Sequence, residues 1–164
     1  MFTLFRGKAL SVAQALLIVA PAFIVFGYNQ SGLAPLASLQ SWVSVFPEID
    51  TINTEGALHA QHSTNKGTVI GSFQIGALFG ALSCTFLGDR LGRRKTIFLG
   101  GILTIIGQLL QTAAYGLPQF VVGRVILGVG VGQLSVAVPV WQSECTSAKH
   151  RGQHVVVDGI CICL

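Results

Sequence analysis

Five charged residues stand within seven consecutive positions in the stretch GDRLGRRK, Gly88 to Lys95: Asp89, Arg90, Arg93, Arg94 and Lys95. They separate two of the most apolar runs of a chain in which only 10% of residues are charged. Carboxylates and guanidiniums this close can pair with one another, and clustered Lys and Arg can also hold a loop on the cytoplasmic side of a membrane. Glu144 and Arg151 set opposite charges on either side of a later segment boundary. Arg124 differs from all of these, because it interrupts an apolar stretch alone. Other constellations carry less. His59 and His62 stand at i and i+3, but a metal site needs more ligands than two. Cys161 and Cys163 form a CxC with no second cysteine pair or His at ligand spacing. GVGVG, Gly128 to Gly132, misplaces the third glycine of a dinucleotide fingerprint and lacks the surrounding strand–helix unit. No nucleophile–base set, phosphate loop or metal cluster is visible, so the expectation is a protein that is not an enzyme and carries no cofactor or metal.

These residues are held by elements written for an apolar medium. Half the residues (51%) are hydrophobic, mean hydropathy is +0.68, and a soluble domain carries roughly 25% charged residues. The net charge of +4 does not point to nucleic acid, because the basic residues sit at the ends of apolar runs and form no basic face. A spanning helix needs ~20 mostly apolar residues. Four segments qualify, at about 10–28, 68–87, 96–115 and 118–140. A fifth helix is expected to start at about 153, and the polar stretch 29–67 is expected to form an extracellular loop. The first segment could instead be a secretory signal, but its apolar run exceeds the usual length and further spans follow. Pro21 inside it predicts a kink, whose freed carbonyl requires a neighbouring helix or an aqueous cavity. With the N-terminus inside, Arg6, Lys8, Arg90, Arg93, Arg94, Lys95, Lys149 and Arg151 are cytoplasmic, and only Lys66 lies outside. Gly76 and Gly80 on the second span, and Gly128 and Gly132 on the fourth with Gly130 between, have the small-residue spacing that lets helix backbones touch.

GDRLGRRK, GRVILGVGVG at Gly123 to Gly132, PVWQSE at Pro139 to Glu144, the Arg151–Gly152 pair and FGYNQSGLAPL at Phe26 to Leu36 together resemble the sugar porter family of the major facilitator superfamily. HRGQHVVVDGICICL is most similar to fungal members. The resemblance implies an all-α integral membrane protein, the N-terminal part of a twelve-helix major facilitator fold, with four complete transmembrane helices and the start of a fifth in this chain. It also implies alternating access to a monosaccharide held near the midplane, with the lipid bilayer as the other partner and protons as a candidate one. The expected location is the plasma membrane. Asp89, Arg93, Arg94, Glu144 and Arg151, with Arg124 counted in the same set, then form a gate and charge network, part of whose partners belong to C-terminal helices needed for a complete transporter.

Neutral sugars call for amides and aromatic rings around a cavity. Asn29, Gln30, Gln74, Gln133 and Trp141 are the expected substrate contacts, with Gln108 and Gln111 as further amides. Each can equally serve as an interhelical hydrogen bond or an interface anchor. Arg124 should face the bundle interior and find an acceptor, since an arginine inside a span costs at least ~2.5 kcal/mol. Proton-coupled members place an Asp in the first-helix motif, and this chain has Asn29, which cannot titrate. Facilitated diffusion is therefore expected. Proton symport with Asp158 as carrier, a sugar sensor and an inactive truncated product stay open. Thr85, Ser147 and Gly159 depart from the family pattern, the last where many members have a sugar-contacting Gln.

Overall fold

A computed structural model describes residues 15–36, 39–51, 56–145, 152, 156, 159 and 160. Arg151, Asp158, the start of the first expected span and most of the expected fifth helix lie outside the described residues. A π-helical turn, Ala15–Val19, runs into α1, Ala20–Ser31. Two short helices follow, α2 (Leu33–Leu36) and α3 (Gln40–Val45), then a 3-10 turn at Pro47–Ile49. Three long helices complete the bundle: α4 (Ala57–Leu91), α5 (Arg93–Thr112) and α6 (Leu117–Cys145).

α4, α5 and α6 are long and apolar enough to cross a membrane, and α1 belongs to a shorter apolar helix, Leu17–Ser31. Among the described residues the expected four spans are therefore three plus this shorter helix. Large apolar side chains such as Phe86, 74% exposed, and Phe98, 72% exposed, point away from the bundle. Water would penalise such faces, whereas lipid or further helices would cover them. Pro21, where a kink is expected, coincides with a change of helix type. The proline sits in the first turn of α1, where a missing N–H costs little, and the π turn precedes it.

α6 is the central element, packed along α4 on one side and α5 on the other, with α1 also leaning on it. Glycine permits this on two faces at once. Gly76 and Gly80 of α4 meet the backbone of Val125 and Val129, while Gly128 and Gly132 of α6 meet Phe73 and Ala77. A Cβ on Gly132 would lie 2.8 Å from the Cα of Ala77. Gly130, about 200° round the helix from Gly128, faces α5, where a Cβ would stand 2.6 Å from the Thr104 nitrogen. GVGVG is thus a two-sided packing surface, as its small-residue spacing suggested. Hydroxyls buried in the apolar interior are satisfied within their own helix, as where Thr104 donates to the Gly100 carbonyl at 2.8 Å.

The loop expected over 29–67 is in large part folded. α4 begins at Ala57, well before Thr68, and its 35 residues reach roughly 52 Å at 1.5 Å per residue. The extension is polar, so a criterion built on membrane thickness misses it. The preceding segment is fastened to it: the Asp50 carbonyl lies 2.8 Å from Nδ1 of His62, and the Asn65 amide donates to the Glu48 carbonyl at 3.1 Å. Trp42, Phe46 and Phe120 form an aromatic triangle with centroids 5.3–5.5 Å apart, and Ile49 and Val69 pack beside it. α5 starts after a single linking residue, Gly92, whose φ of +84° and ψ of 152° suit glycine alone.

Candidate functional site

Two polar clusters lie at opposite ends of the bundle. They are about 27 Å apart along α5, from Arg93 to Gln111 at 1.5 Å per residue.

The first is a cavity of about 420 Å³ between α1, α3, α5 and α6. α1 presents Tyr28 and Asn29 at its C-terminal end, α3 presents Trp42, α5 adds Gln108, Gln111 and Thr112, and α6 adds Phe120 and Arg124. Arg124 is only 4% exposed. One of its terminal nitrogens donates to the Asn29 backbone carbonyl at 3.3 Å, and the guanidinium lies 5.7 Å from the ring centres of both Phe73 and Phe120. Each ring contact contributes about 0.5–2 kcal/mol, which offsets part of the cost of a buried cation. The offset is incomplete, because the Arg124 Nε–H is buried with no hydrogen-bond partner. Trp42 Nε1, on the same cavity, is also buried without one. No acidic side chain lines the cavity among the described residues.

Asn29 is buried and oriented at both ends of its amide. Its Nδ2 donates to the Val25 carbonyl at 2.8 Å, and its Oδ1 accepts from Gln108 Nε2 at 3.5 Å. Asn29 and Gln108 stand 79 positions apart in the chain, so only the docking of α1 and α5 on α6 brings them together. The sequence singled out Arg124 and Asn29, and marked Gln108 as an amide in an apolar run. Nothing local indicated that Trp42 would fold into the same cavity.

The second cluster is charged and exposed. Arg93 stands at the first position of α5 and reaches across both neighbours: Nη1 pairs with Asp89 Oδ1 on α4, and Nε pairs with Glu144 Oε1 on α6, each at 3.2 Å. Asp89 and Glu144 lie near helix C-termini, where a carboxylate opposes the helix dipole and a cation is favoured. One guanidinium therefore answers two ill-placed acids. Below it a cavity of about 180 Å³ is lined by Cys84, Thr85, Gly88, Thr96 and apolar residues of α6. Arg94 is exposed and makes no ion pair among the described residues.

The remaining expected substrate contacts are scattered. Gln30 and Gln74 are exposed. Gln133 is buried between α4 and α6, where Nε2 donates to Ser83 Oγ at 2.9 Å and Oε1 lacks a partner. Trp141 is buried near the end of α6. None of the four lines the cavity that holds Arg124.

Long apolar helices sutured through glycine, with exposed apolar faces and a buried cation at one end, define an integral membrane helical bundle. The family model described as "Sugar (and other) transporter" matches residues 15–164, and the chain belongs to that family. It is 37% identical over 162 residues to the major facilitator superfamily transporter mfsA of Aspergillus fumigatus, covering 96% of this chain and 29% of that protein. It is 36% identical over 142 residues to the sugar transporter STL1 of Saccharomyces cerevisiae, covering 84% and 24%. The fold is similar to the inward open conformation of the xylose transporter XylE from E. coli, with a TM-score of 0.72 and 23% identity over 89% of this chain and 36% of that one. The chain thus spans 24–29% of these two curated relatives' length and has part of the major facilitator fold.

Proposed function

We propose that this chain forms the N-terminal part of a transporter that carries a monosaccharide across the plasma membrane by alternating access, without coupling to protons and without catalysing a reaction. The N-terminus and the Asp89–Arg93–Glu144 network lie on the cytoplasmic side, and the Arg124 cavity opens toward the other. The observation that carries the reading is the cavity itself. Its volume falls within the ~300–1,000 Å³ range of small-molecule sites, and it is lined by amides, a phenol and an indole that suit a ligand rich in hydroxyls. The family and the name of the yeast relative support a sugar.

Asn29 supports the absence of proton coupling. It occupies the site next to Arg124 and cannot release a proton. Gln74, Gln30, Gln133 and Trp141 are proposed to contribute only as other helices close over this half. Arg93 with Asp89 and Glu144 is proposed to hold the cytoplasmic gate shut, joined by Arg94 and Arg151. The test is uptake of labelled glucose by the full-length protein in a host that lacks its own hexose transport. Saturable uptake that persists with an uncoupler is expected. Uptake abolished by the uncoupler at fixed energy supply would refute the uniport part, and no uptake of glucose or of a sugar acid would refute the whole.

A further inference from the structure

The cavity at Arg124 holds a positive charge that nothing described around it balances. Arg124 is more than nine-tenths buried, its Nε–H has no acceptor, and no carboxylate lines the cavity among the described residues. Its one hydrogen bond goes to a neutral backbone carbonyl on Asn29. Trp42, which also lines the cavity, adds a second buried donor without a partner. Both groups only donate, so what the site lacks is an acceptor, and for the guanidinium an anionic one. The lining also offers the amides of Gln108 and Gln111 and the hydroxyls of Tyr28 and Thr112, which can both give and accept.

We propose that this cavity takes a monosaccharide bearing a carboxylate, with the carboxylate on Arg124 and Trp42 and the hydroxyls on the amide wall. The proposal rests on the reading of the cavity as a substrate site, and narrows its substrate to sugar acids over their neutral parents. An arginine is suited to the role because its fork can grip both carboxylate oxygens. Asn29 is what leaves the guanidinium free: an aspartate there would supply an internal carboxylate and compete with the ligand's own.

Glucose and glucuronate test this, since they differ only in the group at C6. Uptake of labelled glucose and of labelled glucuronate is measured with the full-length transporter, and glucose uptake is competed with each unlabelled compound. Glucuronate is expected to inhibit at a concentration lower by about tenfold, the ratio of one charge-assisted contact. In Asn29→Asp and in Gln108→Glu the ratio of the two inhibitory concentrations is expected to fall to one or below, whatever happens to total uptake. A thermal-shift measurement on the purified wild-type protein accompanies it, with stabilisation expected from glucuronate and not from sodium chloride. Glucuronate no stronger than glucose, or a ratio unchanged in both variants, overturns the proposal and leaves the transport reading standing. Equal stabilisation by chloride also overturns it, in favour of an inorganic anion. Failure of both compounds to enter overturns the transport reading, and this inference with it.

Discussion

Arg93 and Arg124 are the same residue type at opposite ends of one bundle, and they are treated in opposite ways. Arg93 is a third exposed and has two carboxylates within 3.2 Å. Arg124 is 4% exposed and has a carbonyl, two aromatic faces and an unused donor. Stability alone would distribute these partners the other way, since exposed pairs contribute little and a buried cation needs its counter-charge most. The buried end is therefore held at a cost, in keeping with the proposed binding site, while the exposed end carries contacts cheap to make and break, in keeping with the proposed gate.

The seam of glycines holds both ends on one scaffold, and the largest expected effect comes from breaking it. In Gly128→Val the new Cβ would stand 2.9 Å from the Ala77 nitrogen and 3.0 Å from the Gly76 Cα, both backbone atoms that cannot swing aside. α4 and α6 must separate, at about 3 kcal/mol or more. Loss of the monodisperse peak on size exclusion in detergent, with both clusters lost together, is the expected result. Gly92→Ala separates the two ends. Its φ of +84° strains any side chain by about 1–3 kcal/mol, and the strain falls where α4 turns into α5. A lower unfolding temperature with unchanged sugar affinity is expected, and reduced affinity would show that the ends are mechanically one.

Some of this was legible in the residues and some was not, for physical reasons. Apolar runs long enough for a bilayer marked α5 and α6, since hydrophobicity is a local property of the chain. Small residues four apart marked the α4–α6 seam for the same reason. The first three turns of α4, with His59, His62 and Asn65, read as loop in the sequence because their helix is stabilised by contacts to Glu48 and Asp50 and carries no apolar run. Arg124 announced itself by being charged in an apolar span. Its neighbours did not, because Asn29, Trp42 and Gln108 meet only when three helices are docked. Gln133 is also buried, and its Nε2 donates to Ser83, 50 positions away in the chain, a contact no local signal marks.

The sign of the effect at Arg124 sharpens the comparison further. Arg124→Met removes a buried charge and keeps most of the volume, so relieved desolvation of at least ~2.5 kcal/mol is set against two ring contacts and one hydrogen bond. The terms nearly cancel at the low end of the contact energies, so little change in unfolding temperature is expected, together with loss of sugar acid preference. A fall in unfolding temperature would mean that the cation is already balanced within the protein.

Arg93→Gln should have the smallest effect on stability and a visible one on access. The side chains of Asp89 and Glu144 are 78% and 50% exposed, so water and salt replace the lost pairs and the unfolding temperature should not move measurably. What changes is the tie between α4, α5 and α6 above the 180 Å³ cavity, where Cys84 is buried. With Cys145, Cys161 and Cys163 replaced by Ser, alkylation of Cys84 should speed up several-fold in Arg93→Gln. Molar salt should produce the same increase in the wild type by screening the pairs, and little in the variant, where no pair is left to screen. Equal rates in all four conditions would show that Arg93 does not restrain this end, and that its two ion pairs follow from the packing of the helices rather than governing it.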